Sequence, residues 1–166
     1  MKSKFHLAQV NIARAKGSME DPIMAGFVAR LEDINALADG SPGFVWRLQT
    51  EEGDATSLRP YDDDRILFNL SVWETPEQLR EFVYRSMHVE VMRQRKSWFD
   101  RFEGMYYALW WVAAGHIPSI EEAKSRLDCL RTHGESAQAF SFTKLYPAPD
   151  APGASPAVGF VVPCPA

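Results

Sequence analysis

The run RILFNLSVW, Arg65 to Trp73, constrains the fold more than any other stretch of this chain. Successive side chains of a strand point to opposite faces. Ile66, Phe68, Leu70 and Val72 therefore form one wholly apolar face, and Arg65, Leu67, Asn69, Ser71 and Trp73 form a mixed one. The apolar face must be covered by the rest of the fold. The mixed face carries an amide, a hydroxyl and an indole, each of which needs a hydrogen-bond partner wherever it leaves water.

The neighbouring segments supply a sheet and its helices. KFHLAQVNIA alternates as a first strand, with Phe5, Leu7, Gln9 and Asn11 opposed to His6, Ala8, Val10 and Ile12. DPIMAGFVARLEDINALADG reads as a helix, capped by Asp21, with Pro22 in its first turn and Gly40 at its end. Its stripe of Ile23, Phe27, Leu31, Ile34 and Leu37 predicts packing on a sheet. GFVWRLQT is a second strand, and the polar EEGDATSLRPYDDD is the loop leading to the third.

After that third strand, Thr75, Pro76 and Gln78 stand in a capping-box arrangement that starts a helix with the stripe Leu79, Phe82 and Val83. The apolar phase changes past Ser86, which predicts a break between Arg85 and Met87. The helix then continues to Phe102 and gathers Val91, Met92, Trp98, Phe99 and Phe102 on one side. His88 and Arg95 point the same way. MYYALWWVAAG is apolar on both faces, the pattern of a strand buried from both sides. SIEEAKSRLDCLRTHG is a further helix, with a second capping box at Ser119 and Glu122 and a stripe of Ile120, Ala123, Leu127 and Leu130. AFSFTKLY reads as a short edge strand.

This order is βαββαβ with an extra C-terminal helix and strand, which specifies an α+β, ferredoxin-like antiparallel sheet. One domain is expected over residues 1–146, followed by a Pro-, Ala- and Gly-rich arm over residues 147–166. With helices on one face, the face bearing Trp46 or Arg47, Asn69, Ser71 and Trp73 would be left bare. Pairing two such sheets about a two-fold axis would cover it, so a homodimer is expected.

Composition narrows the function. A net charge of −4 argues against nucleic-acid binding, which usually shows a basic surface. No apolar run is long enough for a membrane span or a signal peptide, so a cytoplasmic location is expected. The two cysteines, Cys129 and Cys164, lie far apart without metal-ligand spacing; Cys129 reads as a small buried hydrophobe. No phosphate loop, dinucleotide fingerprint, nucleophile elbow or metal site is expected.

LSVWETPEQLREFVY resembles the strand-to-helix junction of dimeric α/β-barrel proteins, which include cofactor-independent and haem-degrading monooxygenases. VYRSMHVEVMRQRKSWF, LWWVAAGHIPSIEEAKSRLDCLRTHG and AFSFTKLY resemble, more specifically, a bacterial family known as a domain of unknown function, number three-two-nine-one. The resemblance implies a ferredoxin-like subunit that dimerises into a barrel, with a pocket between sheet and helices. It does not imply one chemistry. The haem-degrading relatives use a first-strand asparagine with a tryptophan and a histidine on the second helix. Asn11 and His88 match two of these positions, but Phe82 stands at the tryptophan position.

A histidine and an arginine on an otherwise apolar helix face suggest a ligand cavity in front of them. His88 is the candidate proton carrier and Arg95 the candidate anion holder, the two catalytic positions. Substrate contacts are expected from Asn11, Asn69, Ser71, Trp73, Met92, Trp98, Phe99, Trp111 and His116. The bland alternatives are an Arg95 ion pair with Asp100 or Glu103, and a His116 that ties down its own loop. The leading expectation is a monooxygenase-like enzyme, needing no cofactor, for a small apolar or aromatic ligand; isomerisation or cyclisation would use the same parts. A haem protein with His88 as axial ligand, and a non-catalytic ligand-binding or assembly module, are the alternatives.

Overall fold

The computed structural model describes residues 3–50, 56, 58, 60–85 and 88–153, and only the backbone of residues 85 and 88–92. Its elements are β1 (Phe5–Ala15), a short 3-10 turn (Pro22–Met24), α1 (Ala25–Asp39), β2 (Phe44–Arg47), β3 (Ile66–Trp73), α2 (Pro76–Arg85), α3 (His88–Trp98), β4 (Phe99–Asp100), β5 (Tyr107–Ala113) and α4 (Ile120–His133).

β1 is the axis of the sheet. On one side it pairs antiparallel with β3, which in turn pairs with β2. On the other side it pairs with β5 along Phe5 to Asn11 and with the two-residue β4 at Arg14 and Ala15. The order β2-β3-β1-β5 is that of a ferredoxin-like α+β plait. Phe140 adds an isolated antiparallel bridge to Leu109 and Ala139 one to Ser136, so the expected last strand shrinks to two isolated bridges.

Local signals set the helix ends as expected. Thr75 Oγ1 accepts from the backbone N–H of Gln78, and Ser119 Oγ accepts from that of Glu122. Gly134 closes α4 with a positive φ of 76°, which a residue without Cβ adopts freely. α2 ends at Arg85 and α3 begins at His88; Ser86 and Met87, where the break was expected, lie outside the described residues.

Two expectations need correction. The helix expected to run to Phe102 stops at Trp98, because Phe99 and Asp100 leave it to pair with β1. Phe99 and Phe102 are therefore not on the His88 and Arg95 helix. The second correction concerns the faces. The wholly apolar face is not the one under α1 and α2. α4 covers it within the same chain, its Ala123, Leu127 and Leu130 packing with Val10, Phe68 and Val72 in one buried core. The apolar stripe of α4 thus meets the face that offers nothing to hydrogen-bond. α1 and α2 lie over the mixed face instead, where Ala38 and Leu79 pack with Leu7 and Trp73. The bare sheet face from which a dimer was expected is thus already covered.

Cys129 is buried in the α4 core as expected, but it is disulfide-bonded rather than a thiol. The start of the C-terminal arm is tied to the N-terminus: Asp150 accepts from the backbone N–H of Lys4 and the hydroxyl of Ser3. Residues 154–166, including Cys164, lie outside the described residues. Among the described residues no helix is long and apolar enough to cross a membrane.

If α4 closes the apolar face, Leu127→Ala, at a position with no solvent exposure, should cost about 2–5 kcal/mol in urea unfolding; a loss below that range would show that α4 is loosely seated. A second prediction concerns acid. The backbone N–H of Arg65 foremost, and against desolvation the Arg14 and Arg65 guanidinium groups, hold the Asp63 carboxyl below its ordinary value. A lowered carboxylate stabilises the fold above the ordinary aspartate range and loses that contribution as pH falls through its folded value. Asp63→Asn should therefore flatten the fall of melting temperature below about pH 4; an unchanged slope would contradict it.

Candidate functional site

A cavity of about 260 Å³ lies between the mixed sheet face and α1, α2 and α3. Its floor is the alternation of β1 and β3: Gln9 and Asn11 from one strand, Asn69, Ser71 and Trp73 from the other. Register makes these a patch, since Asn11 stands opposite Asn69 and Gln9 opposite Ser71. Aromatic and aliphatic walls come from Phe27, Leu31 and Ile34 of α1, Phe82 of α2, and Phe99, Tyr107 and Phe142.

The floor is hydrogen-bonded through a ladder of side chains. Trp73 Nε1–H donates to Ser71 Oγ at 2.9 Å. Gln9 Nε2 donates to Ser71 Oγ at 2.9 Å and to Asn69 Oδ1 at 2.7 Å. Asn11 Nδ2 donates to Gln9 Oε1 at 3.1 Å. Gln9 and Ser71 are only 7% and 6% exposed, so these bonds satisfy groups that water barely reaches. Ser71 Oγ accepts twice, which leaves its own O–H as a donor; Asn69 uses its carbonyl oxygen and keeps its amide N–H groups.

Arg95 lines the same cavity. Its guanidinium lies over the ring of Tyr106 at 4.6 Å, a contact that holds the charge without neutralising it. The expected ion-pair alternative is absent among the described residues: Asp100 pairs with Arg65 at 3.7 Å. The second cavity arginine, Arg47, is forked onto Asp39 at 2.7 and 3.2 Å. No carboxylate is among the described cavity-lining residues. Burial raises the Tyr107 hydroxyl above its ordinary value, opposed by the N–H that Phe142 donates to it, so Tyr107 is a neutral phenol near pH 7.

Of the positions expected from the sequence, Asn11, Asn69, Ser71, Trp73, Arg95 and Phe99 come together at this cavity. Three do not line it. Trp98 is buried against Met24 and Ala15, with Arg30 over its ring. Trp111 donates its indole N–H to the carbonyl of Tyr146 and is covered by that segment. His116, 48% exposed, pairs with Glu122 at 2.7 Å in the loop before α4, and so ties down its own turn. The side chains of His88 and Met92 lie outside the described residues. Gln9, Arg47, Tyr106 and Tyr107 were not foreseen; two amides at alternate positions of β1, facing two polar residues at alternate positions of β3, were the legible sign of the first.

The side chain of His88, the expected axial ligand of the haem alternative, lies outside the described residues. No described histidine lines the cavity, whose volume lies just below the ~300–1,000 Å³ of sites for drug-sized ligands. Among the described residues there is no cluster of metal-ligating side chains.

Residues 6–155 match the model of a family described as a domain of unknown function, DUF3291. The chain belongs to that family. No curated protein matches this DUF3291 chain. Among solved structures, SnoaB, a cofactor-independent oxygenase from Streptomyces nogalater, is 18% identical, with a TM-score of 0.46, covering 69% of this chain and 98% of its own. NE2512, a protein of unknown function from Nitrosomonas europaea, is 12% identical at a TM-score of 0.44, covering 70% and 97%. PA3566 from Pseudomonas aeruginosa is 9% identical at 0.45, covering 70% and 99%. Likenesses of this size bear no inference about chemistry.

The ladder makes a stability prediction. Ser71→Ala would leave the Trp73 indole N–H and one Gln9 N–H without an acceptor, and should cost about 1–3 kcal/mol in chemical unfolding. An unchanged midpoint would mean that water replaces the hydroxyl and that the floor is wetter than its burial implies.

Proposed function

We propose that this protein binds a small, flat, largely aromatic molecule that carries an oxygen function, and acts on it as a monooxygenase-like enzyme without a cofactor. The observation that carries the reading is the donor array on an aromatic cavity: the Ser71 O–H, the Asn69 N–H groups and the Arg95 guanidinium, with no carboxylate beside them among the described residues. Donors aimed at one place stabilise an oxyanion more than they stabilise the neutral molecule from which it forms. An enolate or phenolate is such an anion.

Arg95 and Asn69 hold the anion once its proton has left, and His88, on the same helix about two turns before Arg95, is the proposed proton carrier. The electron-rich anion reacts with dioxygen. For an aryl ketone with an activated methylene the overall change balances as one oxygen atom entering the substrate as a new carbonyl, the other leaving as water with the two methylene hydrogens. The aromatic walls and the modest volume select one or two fused rings. The site is built by one chain, and α1 and α2 cover the mixed sheet face through which a homodimer was expected. A homodimer formed through another surface would leave this chemistry unaltered.

Binding of α-naphthoate, an aromatic anion of this size, tests the reading. Loss of a charge-assisted hydrogen bond of about 1.5–3 kcal/mol corresponds to roughly a 10- to 150-fold weaker dissociation constant in Arg95→Met. Oxygen consumption with aryl ketones bearing an activated methylene should be lost in the same variant. Equal affinity in wild type and Arg95→Met, or no binding to either, would contradict the proposal.

A further inference from the structure

The floor of the cavity has a property that its single arrangement hides. Trp73 can only donate, so its bond to Ser71 Oγ has a fixed direction. Every other rung joins groups that each contain a donor and an acceptor. As found, Gln9 turns its NH2 to Ser71 and Asn69 and its carbonyl oxygen to Asn11. Rotate the Gln9 amide by half a turn and the ladder closes again. Ser71 then donates its O–H to Gln9 Oε1, Asn69 donates an N–H to the same oxygen, and Gln9 donates to Asn11. Both arrangements contain four hydrogen bonds among the same five side chains; the first leaves one lone pair of Gln9 Oε1 over, the second one Gln9 N–H, which a ligand oxygen can take up.

The two arrangements differ in what they present to the cavity. In the first, Ser71 offers O–H and Asn69 offers N–H, so the floor binds an acceptor oxygen. In the second, the Ser71 O–H is used inside the ladder and Asn69 adds its carbonyl oxygen to its remaining N–H, so the floor can accept from a hydroxyl. We propose that Gln9 is a positioning and specificity-determining residue: its reversible amide inverts the polarity of the cavity floor, so that one site holds both a hydroxylated aromatic ring and the corresponding carbonyl compound. This rests on the ligand reading of the cavity given above and names the pair of ligand classes that it takes. Gln9 suits the task because it is the rung bonded to three others, is 7% exposed, and uses both its N–H groups and its carbonyl oxygen inside the ladder.

A matched pair of bicyclic probes tests it: α-naphthol, which can donate, and α-tetralone, which can only accept. Wild type should bind both, with dissociation constants within about tenfold of each other. In Gln9→Glu, studied above neutral pH, the carboxylate only accepts. It therefore draws in one N–H each of Asn69 and Asn11 and the O–H of Ser71, which takes two donors away from the ligand and turns the Asn69 carbonyl oxygen toward it. The affinity ratio should shift toward α-naphthol by roughly 5- to 150-fold, the equivalent of one buried mismatch. In wild type, the side-chain amide resonances of Gln9 and Asn69 should take different positions with the two probes, a readout that survives if Gln9→Glu fails to fold. An unaltered ratio in folded Gln9→Glu, or identical amide resonances with both probes, would overturn the inference and leave the cavity reading standing. Wild type that takes up neither probe would overturn the cavity reading, and this inference with it.

Discussion

Buried polar groups must be hydrogen-bonded, and on one sheet face the nearly inaccessible Gln9 and Ser71 need partners that neighbouring polar side chains can supply by bonding to each other. Gln9, Asn11, Asn69 and Ser71 do so, with Trp73 anchoring one end. A helix laid directly on this patch would present aliphatic atoms to amides and hydroxyls, breaking bonds without replacing them. α1 accordingly leaves Phe27, Leu31 and Ile34 only partly buried, and a cavity of about 260 Å³ remains between them and the sheet. The opposite face makes no such demand, and α4 closes it to near-complete burial. One sheet thus has a sealed side and an open side, and the alternation of β1 and β3 decides which is which.

The open side gains its charge from the end of α3. Because Phe99 and Asp100 leave the helix to pair with Ala15 and Arg14, the last turn of α3 is pinned to the rim of the sheet. Arg95 sits in that turn and rests on Tyr106, the residue just before β5. Its charge is kept in place by a ring rather than cancelled by an acid, while Arg47, across the cavity, is tied to Asp39. The two arginines are therefore not equivalent: one is part of the frame and the other is available to a ligand.

Much of this was legible in the sequence. The period-two patterns of β1 and β3, the capping boxes at Thr75 and Ser119, and the oddity of Arg95 on an apolar helix all carry direct physical signals. What alternation cannot say is which face of a sheet each helix takes; that is decided by matching α4, with its continuous apolar stripe, against α1 and α2, and the match came out opposite to expectation. Trp98 and Phe99 shared a face on an ideal helix, but pairing with β1 separates them, sending one into a core and the other to the cavity. Trp111 left the expected site because Tyr146, distant in sequence, accepts its indole N–H. Such long-range contacts leave no periodic trace.

The claim that ligand binds on the hydrogen-bonded side of the sheet, and nowhere on the sealed side, is open to a direct measurement. Trp73 and Trp110 are both almost wholly buried and place their indole N–H groups on opposite faces, on Ser71 and on Glu122 respectively. In a titration with α-naphthoate, the indole resonance of Trp73 should move to saturation while that of Trp110 stays in place. Movement of Trp110 with Trp73 unchanged would contradict the account.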